Sequence, residues 1–214
     1  MRRLTLLVLS LLLVSGPAGA DQLVPHHPPV LSAADKADLD RVSAYLNSLH
    51  TLEGEFLQIG PEGQLDQGRF YIAKPGKMRF EYRPPNPVLI VCDGTTIAVA
   101  NKKLKTVDRY PLSGTPLDLI LSDDIDLARS SEVVAVRREP GMLTIEARSS
   151  PNRSRANISL VFSAPDLELR QWTVLDDQGL QTTVTLTDLQ PGVQIPPWLF
   201  VLEEPKGVGT KSRD

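Results

Sequence analysis

Apolar and polar side chains alternate most regularly between residues 56 and 94, and this alternation predicts strands there. Successive side chains of a strand point to opposite faces, so a period of two separates the buried side from the exposed side. Segments 68–74 and 77–83 fit this period and are joined by Pro75-Gly76, a pair typical of the centre of a type II turn. Their apolar faces consist of Phe70, Ile72, Met78, Phe80 and Tyr82. The pattern suggests a surface that holds something apolar rather than a site for chemistry.

The same period continues along the chain and predicts about eleven strands in all. A further strand begins after Glu53, and the others are 88–92, 95–100, 104–110, 132–138, 142–148, 157–163, 167–175 and 180–189.

One helix is predicted before these strands. Ser32 suits the N-cap and Asp35 the acidic position of a capping box, and a helical period continues to about His50. Its apolar stripe consists of Leu39, Val42, Leu46 and Leu49. A short second helix is predicted at 116–121, since proline suits a first helical turn.

Many strands with few helices imply a mainly β domain built on one large antiparallel sheet, strongly curved or closed on itself. The middle of such a sheet is too wide for ordinary side chains to fill unaided, so a helix, a loop or a ligand must occupy it. The stripe on residues 39–49 makes the first helix a candidate plug.

The first residues have the pattern of a cleaved secretory signal. Arg2 and Arg3 precede a short apolar run, and Ala18-Gly19-Ala20 is a small-residue cleavage site. The expected segments are a removed signal at 1–20, a Pro-rich extended arm at 21–31, one folded domain at 32–204 and a flexible tail at 205–214.

The charge balance argues against a nucleic-acid partner. The chain has 23 Lys and Arg against 26 Asp and Glu, and loss of residues 1–20 with their two arginines changes the net charge from −3 to −5. Proteins that bind nucleic acid usually have a basic patch. Cys92 is the only cysteine, so no intramolecular disulfide forms, and its apolar strand favours a buried thiol over a reactive one.

Motifs for catalysis, cofactors or metals are missing from the sequence. There is no Gly-rich phosphate loop, no nucleophile elbow and no Cys/His metal spacing, so we predict no enzyme, no cofactor and no metal site. Asp123, Asp124 and Asp126 are interpreted as a polar loop after the short helix rather than a calcium loop. Asn152 and Asn157 begin glycosylation patterns, which matter only in a host that uses them.

Several short motifs follow one another along the chain after the signal. They are Phe56-x-Gln58, Gly68-x-Phe70, Lys74-Pro75-Gly76-Lys77-Met78-Arg79-Phe80-x-Tyr82, Pro87, Val91-x-Asp93-Gly94, Asp177-Gln178-Gly179 and Phe200-x-Leu202-x-x-Pro205. Together they resemble the LolA family, which carries lipoproteins through the periplasm of Gram-negative bacteria. The resemblance covers nearly all of the chain after the signal.

The resemblance implies an incomplete β-barrel whose mouth is plugged or covered by the N-terminal helix and a short helix, with an apolar cavity for acyl chains. It implies a monomeric periplasmic chaperone that takes triacylated lipoproteins from an inner-membrane ABC-type extractor and passes them to an outer-membrane acceptor. The cavity residues expected on this basis are Phe56, Phe70, Ile72, Met78, Phe80, Tyr82, Ile97 and Trp172.

Two departures from the family concern the lid and the cavity. The family usually has Arg before the proline of the first turn, where it helps to hold the lid shut, but this chain has Lys74. Lysine lacks the planar fork of arginine, so we expect a weaker latch or one that uses Arg79. Aromatic residues make up only 5% of the chain, so aliphatic groups should line more of the cavity.

Three alternatives stay open on the sequence alone. The apolar hairpin faces could form an ordinary filled core. The same half-barrel could serve an envelope sensor or lipid-binding regulator, although such a protein would normally need a second domain. Polar residues distant in sequence could also converge in a secreted hydrolase.

Overall fold

One antiparallel sheet of eleven strands forms the frame of the computed structural model, which describes residues 31–113, 115–130, 132–148, 157–176 and 178–203. The strands are β1 (Thr51–Ile59), β2 (Leu65–Ala73), β3 (Lys77–Tyr82), β4 (Val88–Asp93), β5 (Thr96–Asn101), β6 (Thr106–Pro111), β7 (Val133–Glu139), β8 (Met142–Arg148), β9 (Asn157–Ser163), β10 (Leu169–Leu175) and β11 (Gln181–Pro191). The expected signal, the arm up to residue 30 and the tail lie outside the described residues.

The sheet is open. Hydrogen-bonded neighbours follow the order β6-β5-β4-β3-β2-β1-β11-β10-β9-β8-β7, so β6 and β7 are its two edges. The helices are α1 (Ala33–Ser48) and α2 (Asp118–Leu121), and a 3-10 turn at Pro197–Phe200 follows the last strand. The predicted mainly β fold with one large curved sheet, an N-terminal helix and a short helix is confirmed.

Helix α1 starts and packs as the sequence predicts. The carboxylate of Asp35 accepts a hydrogen bond from the backbone N–H of Ser32 at 2.8 Å, and the hydroxyl of Ser32 accepts one from the backbone N–H of Asp35 at 3.1 Å. This capping box satisfies donors that the helix itself leaves free. Leu39, Val42 and Leu46 are buried in the main core, so α1 covers the inner face of the sheet.

The register of the strands places the apolar residues of the hairpin on that inner face. Phe70 is opposite Phe80, and Ile72 is opposite Met78, which in turn is opposite Cys92. Directly opposite residues share a face, so this row of side chains points toward α1.

The turn between β2 and β3 depends on Gly76, whose φ of +72° lies in the region that favours glycine. A Cβ at this position would lie 2.5 Å from the carbonyl oxygen of Gly94, so a larger residue would displace backbone. The Lys74-Pro75 peptide bond is cis.

Two strands, β6 and β10, begin two residues later than the period of two predicts. The side chain of Asn101 accepts hydrogen bonds from the backbone N–H groups of Lys103 and Leu104, which forms a turn and delays β6 to Thr106. Leu167 has a φ of +37°, which is incompatible with a strand, so β10 begins at Leu169.

A smaller apolar cluster lies on the outer face of β4, β5 and β6. It consists of Leu89, Val91, Ala98, Ala100 and Val107, with Leu202 packed against it. The segment after the 3-10 turn therefore folds back over the outside of the sheet.

Candidate functional site

The eight predicted cavity residues come together on the inner face of the sheet and belong to one apolar cluster with α1. Phe56, Phe70, Ile72, Met78, Phe80, Ile97 and Trp172 are buried, and Tyr82 is half-buried. Phe80 is central, because its ring centroid lies 4.9 Å from that of Phe56, 5.7 Å from that of Phe70 and 6.0 Å from that of Trp172. Whether these residues contact a ligand stays a prediction.

Tyr82 brings a polar atom to this apolar surface. Its hydroxyl donates a hydrogen bond to the side-chain oxygen of Gln58 at 2.7 Å. Burial is the main reason that the pKa of Tyr82 rises to about 12, with a smaller contribution from Asp66. The phenol therefore stays neutral at neutral pH, and its hydroxyl is satisfied without water.

Side chains from the sheet and from α1 pack against each other in this conformation. Leu39 and Val42 of α1 are fully buried against the sheet, and Leu46 is 1% exposed. An apolar ligand that replaced these contacts would displace α1. The contacts that hold α1 in place therefore decide what this site can do.

The β2–β3 turn holds both helices. The ammonium group of Lys74 donates a hydrogen bond to the carbonyl oxygen of Leu46 at 2.8 Å. The backbone N–H of Gly76 donates one to the carbonyl oxygen of Leu121, the last residue of α2, at 2.9 Å. One tight turn is thus attached to α1 through a side chain and to α2 through its backbone.

The environment of Lys74 opposes its charge. Burial lowers the pKa of Lys74 to about 8, and the carboxylate of Asp123 acts in the opposite direction. Helix α1 has no basic residue in its own last turn, so Lys74 supplies the cation near its negative end. Lys74 therefore has the position and the bond that the latch hypothesis requires, while its role stays a prediction.

Arg79 lies on the opposite face of the sheet. Its guanidinium donates hydrogen bonds to the carbonyl oxygen of Leu199 at 2.9 Å and to the carboxylate of Glu81 at 2.6 Å. Leu199 belongs to the 3-10 turn outside the sheet, so these bonds attach the C-terminal segment and not α1 or α2.

Two polar side chains on α1, which the sequence analysis missed, hold the segment after α2. Asn47 exchanges two hydrogen bonds with the main chain of Ile125, and the hydroxyl of Ser43 accepts one from the backbone N–H of Leu127. These residues are four apart and lie beside the apolar stripe. This spacing places the two side chains on one face of the helix, which the sequence shows, but it does not identify the residues that they contact.

The N-terminal half of α1 is attached to an edge of the sheet. Arg138 on β7 donates hydrogen bonds to Asp35 at 2.9 Å and to Asp38 at 2.6 Å. The side chain of Arg138 is 44% exposed in these ion pairs, so solvent screens them and each contributes little on its own.

The site offers little for catalysis or metal binding. In the part of the chain that the structure describes, no three His, Cys, Asp or Glu side chains are grouped so that they could hold a metal ion. The Cys92 thiol is fully buried, as the sequence predicts, and burial raises its pKa above the ordinary value. No helix within the described ranges is both long and apolar enough to span a membrane.

Most of the chain is similar to proteins named as outer membrane lipoprotein carriers. The model of the LolA family, described as outer membrane lipoprotein carrier protein, matches residues 47–203. A protein of that name from Cupriavidus pinatubonensis is 26% identical over 209 residues, covering 92% of this chain and 95% of its own length. One from Methylococcus capsulatus is 26% identical over 185 residues, covering 83% and 88% respectively.

The solved structures similar to this chain include that of an uncharacterized conserved protein from Thermus thermophilus. The similarity extends over 80% of this chain and 94% of the Thermus protein. It is 13% identical, with a TM-score of 0.47.

Proposed function

The chain belongs to the LolA family of outer membrane lipoprotein carrier proteins, and we propose that it encloses the acyl chains of lipoproteins between α1 and the inner face of its sheet. Family membership makes it a carrier and not an enzyme. The observation that carries the proposal is the continuous apolar face around Phe80, which is covered by a helix rather than by a second sheet.

The energetics of an acyl chain explain why such a face is needed. Each CH₂ group exposed to water costs about 0.8 kcal/mol relative to an apolar environment. A carrier in water must therefore cover most of the chain. The aromatic and aliphatic side chains that now contact α1 would contact the acyl chains instead.

Release requires that binding also be reversible. When α1 returns to the sheet, it restores the contacts of Leu39, Val42 and Leu46 and competes with the cargo for the same surface. The bond from Lys74 to Leu46 favours this closed conformation. A charge-assisted hydrogen bond contributes about 1.5–3 kcal/mol, which biases an equilibrium between two conformations without fixing it.

The cellular setting follows from this function. A carrier to the outer membrane works in the periplasm, and residues 1–20 have the pattern of the signal that would export it. The donor would be an ABC-type extractor in the inner membrane and the recipient an outer-membrane acceptor. The chain itself would act as a monomer.

Two measurements on the exported protein test the proposal. Purified protein added to spheroplasts should release lipoproteins into solution, and protein isolated from periplasm without detergent should contain lipoprotein or lipid by mass spectrometry. Failure to release lipoproteins, together with mass spectra that show protein alone, would overturn the carrier function.

A further inference from the structure

We infer that Asn47 joins α1 and the segment 118–127 into one lid that opens and closes as a unit. The inference says which part of the proposed carrier moves. The coupled motion itself does not depend on the carrier function, but its role in loading and release rests on that function. Asn47 is a positioning residue, because it acts through the main chain of its partner.

The contact between Asn47 and Ile125 resembles a pair of strand hydrogen bonds. The side-chain amide of Asn47 donates to the carbonyl oxygen of Ile125 at 3.0 Å, and its oxygen accepts from the backbone N–H of Ile125 at 2.9 Å. Two bonds to one residue fix both the distance and the orientation of the segment relative to α1.

A second contact, one helical turn earlier, continues this attachment. The hydroxyl of Ser43 accepts from the backbone N–H of Leu127 at 3.0 Å and donates to the carbonyl oxygen of Leu39 at 2.7 Å. Residues four apart share a helix face, so Ser43 and Asn47 contact alternate residues of the same stretch. The side chains of Ile125 and Leu127 are buried in the main core beside α1.

Each part of the lid has its own bond to the β2–β3 turn, while α1 is also attached to β7 through Arg138 and to β10 through the hydroxyl of Tyr45, which accepts from the backbone N–H of Leu169. Lys74 holds α1 through Leu46, and Gly76 holds α2 through Leu121. If α1 and the segment 118–127 were independent, each bond would break alone. The joint at Asn47 makes the two bonds break together, which gives the lid one closed and one open conformation.

Hydrogen exchange of the full-length protein can measure this coupling without any cargo. The reporter is the backbone N–H of Leu121, which donates to the carbonyl oxygen of Leu117, the residue just before α2. Lys74→Leu removes the side-chain bond to α1 and also the attraction between the ammonium group and Asp123, which lies in the segment 118–127. The attraction to Asp123 does not pass through Asn47, so only the part of the effect that is lost without Asn47 reports the joint. We expect Lys74→Leu to speed exchange at Leu121 roughly tenfold when Asn47 is present. In an Asn47→Ala background the same substitution should have a much smaller effect.

Two further variants separate the hydrogen bonds from packing. Asn47→Asp keeps the size of the side chain but turns a carboxylate oxygen toward the carbonyl oxygen of Ile125, so it should behave like Asn47→Ala. Ser48→Ala removes a hydroxyl that donates within α1, to the carbonyl oxygen of Tyr45, so coupling should stay as in the parent protein. Protection of the β10 amides shows that each variant is folded.

The inference is overturned if Lys74→Leu has the same effect with and without Asn47, if it has no effect on Leu121 in the parent protein, or if Asn47→Asp keeps the coupling. Coupled exchange in a protein that releases no lipoprotein from spheroplasts would overturn the proposed function and leave the joint at Asn47 standing.

Discussion

The ammonium group of Lys74 lies 2.8 Å from the carbonyl oxygen of Leu46, close to the C-terminal end of α1. The contact is formed by a group that is costly to bury as a charge, since burial lowers the pKa of Lys74 to about 8. A favourable bond and an unfavourable desolvation therefore act at the same place. This balance suits a latch that must open when cargo enters and close when cargo leaves.

Replacing Lys74 by leucine should impair delivery rather than loading. Without the bond to Leu46, α1 returns to the sheet less readily, so it competes less well with bound acyl chains. We expect Lys74→Leu to accept lipoproteins from spheroplasts but to hand them on slowly. The rate of transfer from the loaded carrier to outer-membrane vesicles measures this directly.

Arg79→Leu is the matched control for that experiment. Arg79 also donates to a backbone carbonyl oxygen, that of Leu199, but on the outer face of the sheet. We expect its transfer rate to be closer to that of the parent protein. Parent-like transfer in Lys74→Leu would contradict the latch, and parent-like transfer in both variants would remove any role for these two cations in the lid.

A charge at the centre of the apolar face should prevent loading. In Phe80→Glu, acyl chains could cover the new carboxyl group only if it became neutral, and burying even a neutral polar group without a hydrogen-bond partner costs on the order of 2–7 kcal/mol, so at least that much binding free energy would be lost. We expect a folded protein, by circular dichroism, that does not release lipoproteins from spheroplasts.

Leu57→Glu provides the comparison on the same sheet. Leu57 is next to Phe56 in β1 but points to the outer face and is 36% exposed. It should release lipoproteins as the parent protein does. If Phe80→Glu does not fold while Leu57→Glu does, the inner face is an ordinary core and not a cavity.

The lowered pKa of Lys74 predicts how pH changes stability. Lys74 has a pKa of about 8 in the folded protein against an ordinary lysine value of 10.5, so the unfolded chain binds more protons between these values. Stability contributed by this group therefore rises from about pH 8 to about pH 10.5, and it is unchanged below that window, where both states are protonated.

Urea unfolding at about pH 7 and about pH 9.5, on either side of the folded-state pKa, tests this sign. The free energy of unfolding of the parent protein minus that of Lys74→Leu should be larger at the higher pH. Taking the difference between the two proteins removes the contribution of the other groups that titrate in alkali. A difference that falls with pH would show that Lys74 is not desolvated as described.

The single cysteine gives a natural reporter of lid opening. Cys92 is on the inner face opposite Met78 and is fully buried, and its pKa is raised by burial. We expect slow reaction with a maleimide in the parent protein and a rate several times higher in Lys74→Leu at the same pH, because only an open conformation exposes the thiol. Equal rates in the two proteins would mean that Lys74 does not control access to the inner face.

The local part of this fold is readable from the sequence. The period of two identifies the inner face of the β2–β3 hairpin, because alternation depends only on backbone geometry. The capping box of Ser32 and Asp35 is likewise encoded within four consecutive residues. These features require no knowledge of distant parts of the chain.

The contacts that hold the lid are not readable in this way. Asn47 and Ile125 are 78 residues apart, so their contact depends on how the whole chain folds and not on any local pattern. The alternation of side chains fixes which face is apolar but not how strongly the sheet curves. The alternation does place Arg79 on the face opposite to Phe80, but it does not show that the carbonyl oxygen of Leu46 lies within reach of Lys74 or that of Leu199 within reach of Arg79.

The unpaired edges at β6 and β7 have a consequence for the size of the cargo. In a closed barrel the number and stagger of the strands set the circumference, and widening it would break hydrogen bonds between strands. Here no strand pairing joins the two edges in the described structure, so the circumference is not fixed. The sheet can flatten or curl with all its described ladders intact. We expect it to accommodate acyl groups of different length by changing its radius, at the cost of bending rather than of broken bonds.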